Sequence, residues 1–208
     1  YGSVLTHGFI LDGEGRKMSK SLGNTILPEE IVDESGADIL RLWVASTDYR
    51  NDVRISKGII KGLSETYRRI RNTARFLLGN LHGFDPARDA VPYERMLSMD
   101  RWILDRLQRT IERGRGSMED YEFHMPTSAI HSFCVNELSA FYLDVSKDRL
   151  YVEAADSLTR RSAQTAMWEV LSALTRMLAP LLSFTAEEVW QEMRALDPSL
   201  AESVFLTD

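Results

Sequence analysis

Cysteine is almost missing from this chain. Cys134 stands alone among 208 residues, so no internal disulfide framework braces the fold. On an apolar helical face that thiol reads as a small core residue rather than a nucleophile. Histidine is sparse as well: His7, His82, His124 and His131 show no close Cys/His spacing for zinc, and no metal site is expected. No apolar run is long enough to span a bilayer and no signal peptide is visible before Tyr1. The expectations are a cytoplasmic location and no membrane partner. A Gly-x-x-x-x-Gly-Lys-Ser/Thr pattern is absent, which excludes a self-contained P-loop nucleotidase. There is no internal repeat, no low-complexity tract and no overall basic excess. The net charge of −6 argues against an indiscriminate polyanion binder and against DNA as a partner, but leaves room for a local basic stripe. The hydrophobic fraction of 44% and charged fraction of 27% are those of an ordinary globular protein.

What is present begins with Arg16-Lys17-Met18-Ser19-Lys20-Ser21-Leu22-Gly23-Asn24. Asp12-Gly13-Glu14-Gly15 leads in and Gly23-Asn24 leads out, so the stretch reads as a loop. Lysines supply mobile point charges and serines small donors, the equipment for closing over a polyphosphate. A solvated connection has the same residue types, and composition alone does not separate the two.

Around this loop, Val4–Leu11 reads as a strand and Thr25-Ile26-Leu27 as its return, stopped by Pro28. Pro28-Glu29-Glu30-Ile31-Val32 opens a short helix ended by Gly36. Ala37–Ala45 reads as a helix burying Ile39, Leu40, Trp43 and Val44, with Asp38 and Arg41 outward. Ser46–Ser56 is polar and aperiodic, a hinge. One strand and a hairpin make no stable sheet, so this first part is expected to be the tail of a larger domain.

From Lys57 onward the pattern is helical. Ile59, Leu63, Tyr67, Ile70, Ala74, Leu77 and Leu81 mark a long first helix. Lys57, Lys61, Arg68, Arg71 and Arg75 gather on one side of it, with Glu65 read as projecting elsewhere. A solvated face and a nucleic-acid contact fit that array equally. Phe84–Leu97 reads as a loop. A second helix carries Met99, Trp102, Ile103, Leu107, Thr110 and Ile111 and breaks at Arg113–Gly116. A third enters at Met125-Pro126-Thr127, with Ile130, Cys134, Leu138, Phe141, Tyr142 and Val145 as its stripe. Lys147 and Arg149 then fit surface pairs or phosphate contacts alike. A fourth helix spans about Leu158–Leu178 until Pro180, and Thr185-Ala186-Glu187-Glu188 reads as a capping box opening the last. The expected fold is mainly α: an antiparallel helical bundle over 57–208, preceded by a small α/β piece over 1–56.

Lys17-Met18-Ser19-Lys20-Ser21 resembles the second signature motif of class I aminoacyl-tRNA synthetases. Its flanks, Leu5-Thr6-His7-Gly8-Phe9 and Gly36-Ala37-Asp38-Ile39-Leu40-Arg41, look like the subgroup that activates isoleucine, valine and leucine. Asp38–Tyr49, Tyr67–Leu77 and Phe141–Asp144 look like the isoleucine branch more than the valine or leucine ones, and Leu22 suits it too. Ala179–Trp190 is similar to the subgroup's helical anticodon-binding domain.

The resemblance implies the end of a Rossmann-type catalytic domain followed by that bundle. It implies that Lys20, assisted by Lys17, contacts the ATP phosphates as pyrophosphate departs. Met18, Ser19 and Ser21 would complete the ATP-binding loop, with ATP carrying Mg2+. His7 and Gly8 match the strand leading to the motif, where a structural role is expected. Lys61, Arg68, Arg71 and Arg75 become candidates for the phosphates of the isoleucine tRNA. The family's His-x-Gly-His signature, its editing insertion and its amino-acid pocket have no counterpart here. Isoleucine binding and any zinc are therefore expected in other parts of the parent enzyme, and this segment is not expected to be active alone. A valine or leucine enzyme, or a non-catalytic helical RNA- or protein-binding module, are the alternatives.

Overall fold

This computed structural model describes residues 2–207; Tyr1 and Asp208, included in the two expected domains, lie outside them. Strand β1 (Ile10–Leu11) pairs in parallel with β2 (Val53–Arg54), Ile10 opposite Val53 and Leu11 opposite Arg54. The expected longer strand Val4–Leu11 and its return at Thr25–Leu27 are not formed. The partner comes instead from the stretch read as a hinge. Val53 sits alone between Asp52 and Arg54, so no period-2 alternation advertises it. Gly8 makes the approach possible: a Cβ there would lie 2.3 Å from the Asn51 carbonyl carbon and 2.6 Å from the Asp52 nitrogen.

Helix α1 (Pro28–Ser35) starts on its proline, with Glu29 and Glu30 in the positive first turn. Helix α2 (Ala37–Ser46) follows, and both of its sides are covered. Ile39 and Trp43 join Ile31, Ile55 and Ile60 in a small core, against which Met18, Ile26, Leu40 and Val53 pack. Leu42 and Ala45 face the main core. Two expectations are corrected. Asp38 is buried, at 7% exposure, and Val44 is exposed, at 54%. A helix wedged between two cores has no single apolar stripe to read.

The bundle begins with α3 (Lys57–Asn80), whose first turn is capped by the Ser56 hydroxyl accepting from Ile59 N–H. Ile60 rather than Ile59 enters the small core; Ile70, Ala74, Leu77 and Leu81 face the large one. Within the expected 84–97 loop lies a short helix, α4 (Pro86–Asp89). Helix α5 (Ser98–Glu119) runs through Arg113–Gly116 without the expected break. Gly114 is there for packing: a Cβ would meet Met177 Cε at 3.1 Å and Pro126 Cβ at 3.6 Å.

Helix α6 (His124–Ser132) continues into a π-helical run, Phe133–Tyr142, and then into α7 (Leu143–Val145) and α8 (Lys147–Tyr151). Wider π winding rotates the buried stripe. Phe133, Cys134, Leu138, Tyr142 and Leu143 are inside, whereas Phe141 and Val145, expected there, are exposed. Helix α9 (Leu158–Leu178) is the central rod, with Ala163, Ala166, Met167, Val170 and Leu171 fully buried. It packs on α3, α5, α8 and the last helix, α10 (Ser183–Leu196). The expected capping box is not the helix start: the N-cap of α10 is Leu182, three residues before Thr185, and it has no capping side chain.

That vacancy is filled from α2. Asp38 accepts from the backbone N–H of Phe184 (3.3 Å) and Thr185 (2.8 Å) and from the Thr185 hydroxyl (2.6 Å). One turn along, Arg41 donates to the carbonyls of Pro180 (2.7 Å) and Leu181 (3.2 Å). Tyr67 of α3 closes the joint through its hydroxyl, 2.9 Å from the Thr185 hydroxyl.

Candidate nucleotide loop and nucleic-acid interface

The lysine loop is built on Asp12, a residue the sequence offers only as turn punctuation. Its carboxylate accepts from the backbone N–H of Glu14 (3.0 Å) and Arg16 (2.8 Å), from Arg16 Nε (2.9 Å) and from Asn24 Nδ2 (2.9 Å). The Arg16 backbone and the Asn24 amide lead in holding the Asp12 carboxyl far below the usual carboxylate range. Asn24 works in both directions, since its Oδ1 accepts from Ser19 N–H at 2.9 Å. Both ends of the loop are thereby tied to one point.

Between those ties, Ser19 caps a single 3-10 turn, Lys20–Leu22, its Oγ accepting from Leu22 N–H and lying 3.2 Å from Ser21 Oγ. Gly23 ends the turn at φ 63°, a left-handed conformation that suits glycine. Met18 is half-buried and packs against the small core, anchoring the middle of the loop. Ser19 and Ser21 are thus occupied in shaping the turn, while Lys17 and Lys20 are exposed. Among the described residues neither lysine takes part in an ion pair, in contrast to Arg16, which pairs with Asp12 and Glu14. The arrangement is a braced base carrying two free ammonium groups. Chemically, it offers positive charge to a ligand without first having to break a bond.

The basic face of α3 is different. Glu65 does not project elsewhere; three residues before Arg68, it forms an ion pair with it. Arg71 lies 3.6 Å from Glu188 of α10. Lys57 and Lys61 share a groove with Glu30 and Glu34 of α1, and Arg71 and Arg75 share one with Glu188 and Glu192. Apart from Glu65, the balancing acids come from other helices, which a wheel drawn for α3 alone does not show. Among the described residues Lys61 and Arg75 are without an ion pair.

Lys147 and Arg149 part company as well. Lys147 pairs with Asp144 at the surface (2.7 Å). Arg149 turns inward and holds Asp100 with both nitrogens, at 2.8 and 2.9 Å. Asp100 is completely buried and also accepts from Tyr142 (2.7 Å) and Ser162. Burial, with the Asp100 charge beside it, pushes the Tyr142 phenol well above its ordinary value. Arg149 is largely buried and its guanidinium is committed to Asp100. Cys134 is 1% exposed, and burial pushes its thiol up to about 12, as an inert core residue requires. Among the described residues no group of three or more His, Cys, Asp or Glu side chains is placed to hold a metal, and no helix is long and apolar enough to cross a membrane.

Residues 1–56 match the family model for tRNA synthetases class I (I, L, M and V), and residues 100–208 match that for the anticodon-binding domain of tRNA ligase. The chain belongs to the class I tRNA synthetase family. It is 59% identical over 193 residues to the isoleucine–tRNA ligase of Syntrophotalea carbinolica, covering 93% of this chain and 21% of that protein. It is 58% identical to that of Brevibacillus brevis, covering 100% and 22%. With that of Aquifex aeolicus it shares 55% identity over 99% of this chain and 22% of the relative. The chain spans about a fifth of the length of these curated relatives.

Among solved structures, methionyl-tRNA synthetase of Mycobacterium tuberculosis in complex with methionyl-adenylate superposes with a TM-score of 0.74. The identity is 21%, over 97% of this chain and 43% of that one. Agrobacterium radiobacter LeuRS, in a ternary complex with tRNA and LeuAMS, gives 0.70 at 24% identity over 95% and 22%. At these identities the likeness is one of fold. Within the synthetase family frame the lysine loop lies inside the first matched segment, and Asp100 opens the second. Lys61, Arg68, Arg71 and Arg75 fall between the two.

Proposed function

We propose that this chain is the part of an isoleucine–tRNA ligase that supplies the ATP-phosphate loop and the tRNA-binding bundle. In the whole enzyme the isoleucine carboxylate attacks the α-phosphorus of ATP, pyrophosphate leaves, and the acyl group of the adenylate passes to the terminal ribose of the tRNA. Lys20, with Lys17, would neutralise the charge gathering on the departing pyrophosphate. Ser19, Ser21 and Met18 would keep the loop in shape around the phosphates. The observation that carries this reading is two exposed lysines, in no ion pair among the described residues, on a loop fastened at both ends by Asp12 and Asn24. Identities of 53–59% to isoleucine–tRNA ligases support isoleucine as the amino acid. Its pocket would lie outside this chain.

Mg2+ would arrive on the ATP phosphates, and this segment's own contribution would be charge and shape. Zinc, where the enzyme uses it, would be held by other parts. Lys61, Arg68, Arg71 and Arg75 would meet tRNA phosphates, Lys61 and Arg75 directly and the two arginines by exchanging their glutamate partners for phosphate. The enzyme would work in the cytoplasm.

The test is Lys20→Ala in the full-length enzyme, followed by isoleucine-dependent exchange of pyrophosphate into ATP. Exchange is expected to fall by ~10²–10³, the scale for removing one donor aimed at developing charge, with the KM for isoleucine within about twofold of the parent. Unchanged exchange would sink the assignment.

A further inference from the structure

We infer that Asp38 and Arg41 are positioning residues that fix the lysine-loop unit onto the corner between α9 and α10. They would thereby set where an RNA seated on the bundle meets the reacting end of the enzyme; this rests on the function proposed above. The argument starts from the poles of two helices. The first turn of α10 carries backbone N–H groups with no partner inside the helix, and its own N-cap, Leu182, supplies none. The carboxylate of Asp38, from a helix nearly 150 residues earlier in the chain, takes two of them and the Thr185 hydroxyl. The turn after α9 presents the opposite need, carbonyl oxygens at Pro180 and Leu181, and the Arg41 guanidinium takes both. A negative group thus sits on the positive pole of one helix and a positive group beside the negative pole of the other.

Both groups project from a single turn of α2, so the joint constrains rotation as well as distance. Tyr67, on the helix that bears the basic face, is tied into the same cluster through Thr185. The other side of α2 holds the loop: Leu40 packs on the small core against which Met18 also packs. One ten-residue helix therefore runs between the lysine loop and the bundle corner. Among the described residues Asp38 forms no ion pair with a side chain, so helix termini supply its compensation. A carboxylate buried for packing alone is an expensive choice, and an apolar residue would serve that purpose better. Directionality is what the charged pair adds.

Asp38 and Arg41 hydrogen-bond to neither the loop lysines nor the cations of α3 among the described residues, so losing them should separate the two half-reactions. The experiment uses Asp38→Asn, which keeps the shape, and Arg41→Met, which replaces an exposed side chain by an uncharged one, each in the full-length enzyme. Isoleucine-dependent pyrophosphate exchange, which needs no tRNA, is expected within about twofold of the parent. The kcat for charging tRNA is expected to fall ~10–100-fold, the scale of a displacement near 1 Å between reacting groups, while the KM for tRNA stays within about threefold. The double variant should fall by less than the product of the two, because both act at one joint.

Exchange and charging falling by the same factor would reduce the pair to ordinary stabilisation. A raised tRNA KM with kcat preserved would make them RNA contacts instead. Unchanged charging would remove the proposal altogether. Absence of exchange in the parent enzyme would count against the proposed function and not against the joint.

Discussion

The lysine loop and the basic face of α3 hold the same kind of residue and use it in opposite ways. In the loop, the strong interactions hold the turn in shape: Asp12 and Asn24 brace it, Arg16 pairs with Asp12, Ser19 caps the turn, and among the described residues Lys17 and Lys20 take part in no ion pair. On α3 the side chains themselves are engaged, Arg68 by Glu65 and Arg71 by Glu188, with Glu30, Glu34 and Glu192 close to the remaining cations. A free ammonium gives its full field to a ligand, whereas a paired guanidinium gives only the difference between two partners. In the function proposed above, the loop would meet charge that appears transiently during a reaction. The face, in the same function, would make reversible, salt-sensitive contact with a polyanion that has to leave again.

The contrast is broken most severely by variants that unfold one region and spare the other. Asp100→Ala should cost about 3–5 kcal/mol, because Arg149 is left charged, 16% exposed and unpaired in the bundle core. Urea denaturation followed by helical circular dichroism measures it, and a loss below about 1 kcal/mol would mean that the pair is not load-sharing in the core. Gly8→Ala acts on the other region. A Cβ 2.3 Å from the Asn51 backbone must push β1 from β2, at about 1–3 kcal/mol. Pyrophosphate exchange should drop while the helical signal of the bundle is kept; equal loss of both signals would contradict a division of labour. The smallest effect sharpens the comparison. Glu188→Gln releases Arg71, so tRNA affinity at low salt should rise about twofold. The salt dependence should steepen by up to about one counterion. A weaker complex would show that Arg71 faces no phosphate.

Much of the bundle was legible because it obeys the helical period: α3, α9 and the inert Cys134 fall where the apolar spacing puts them. Features that depend on distant partners were not legible. The sequence pattern puts Asp38 and Val44 on the wrong sides because α2 is covered twice, by cores that draw on residues from different parts of the chain. The helical period misplaces Phe141 and Val145 because a ten-residue π run changes that period within one helix. Gly114 looked like a stop and is a close-packing contact. Arg149 looked like a surface cation because Asp100 lies forty-nine residues away.

For the lysine loop, residue types placed the cations correctly on an exposed turn. Asp12 and Asn24 were visible only as punctuation, because their hydrogen bonds are made across the turn and leave no periodic trace. An Asp-Gly lead-in matched by a Gly-Asn exit is the signal that was there to be used.

The parallel pairing of β1 with β2 also has a consequence for how this protein is made. Phe9 N–H bonds the Asp52 carboxylate across 43 positions, and Val53 N–H bonds the Phe9 carbonyl. Synthesis proceeds from the amino end, so the lysines leave the ribosome well before the strand that completes their platform. Closing a segment of that length carries an entropic cost that grows slowly with its size, and contacts so far apart form late. α1 and α2 can wind locally as they emerge, but the loop acquires its final frame only once Val53 and Ile55 are in place.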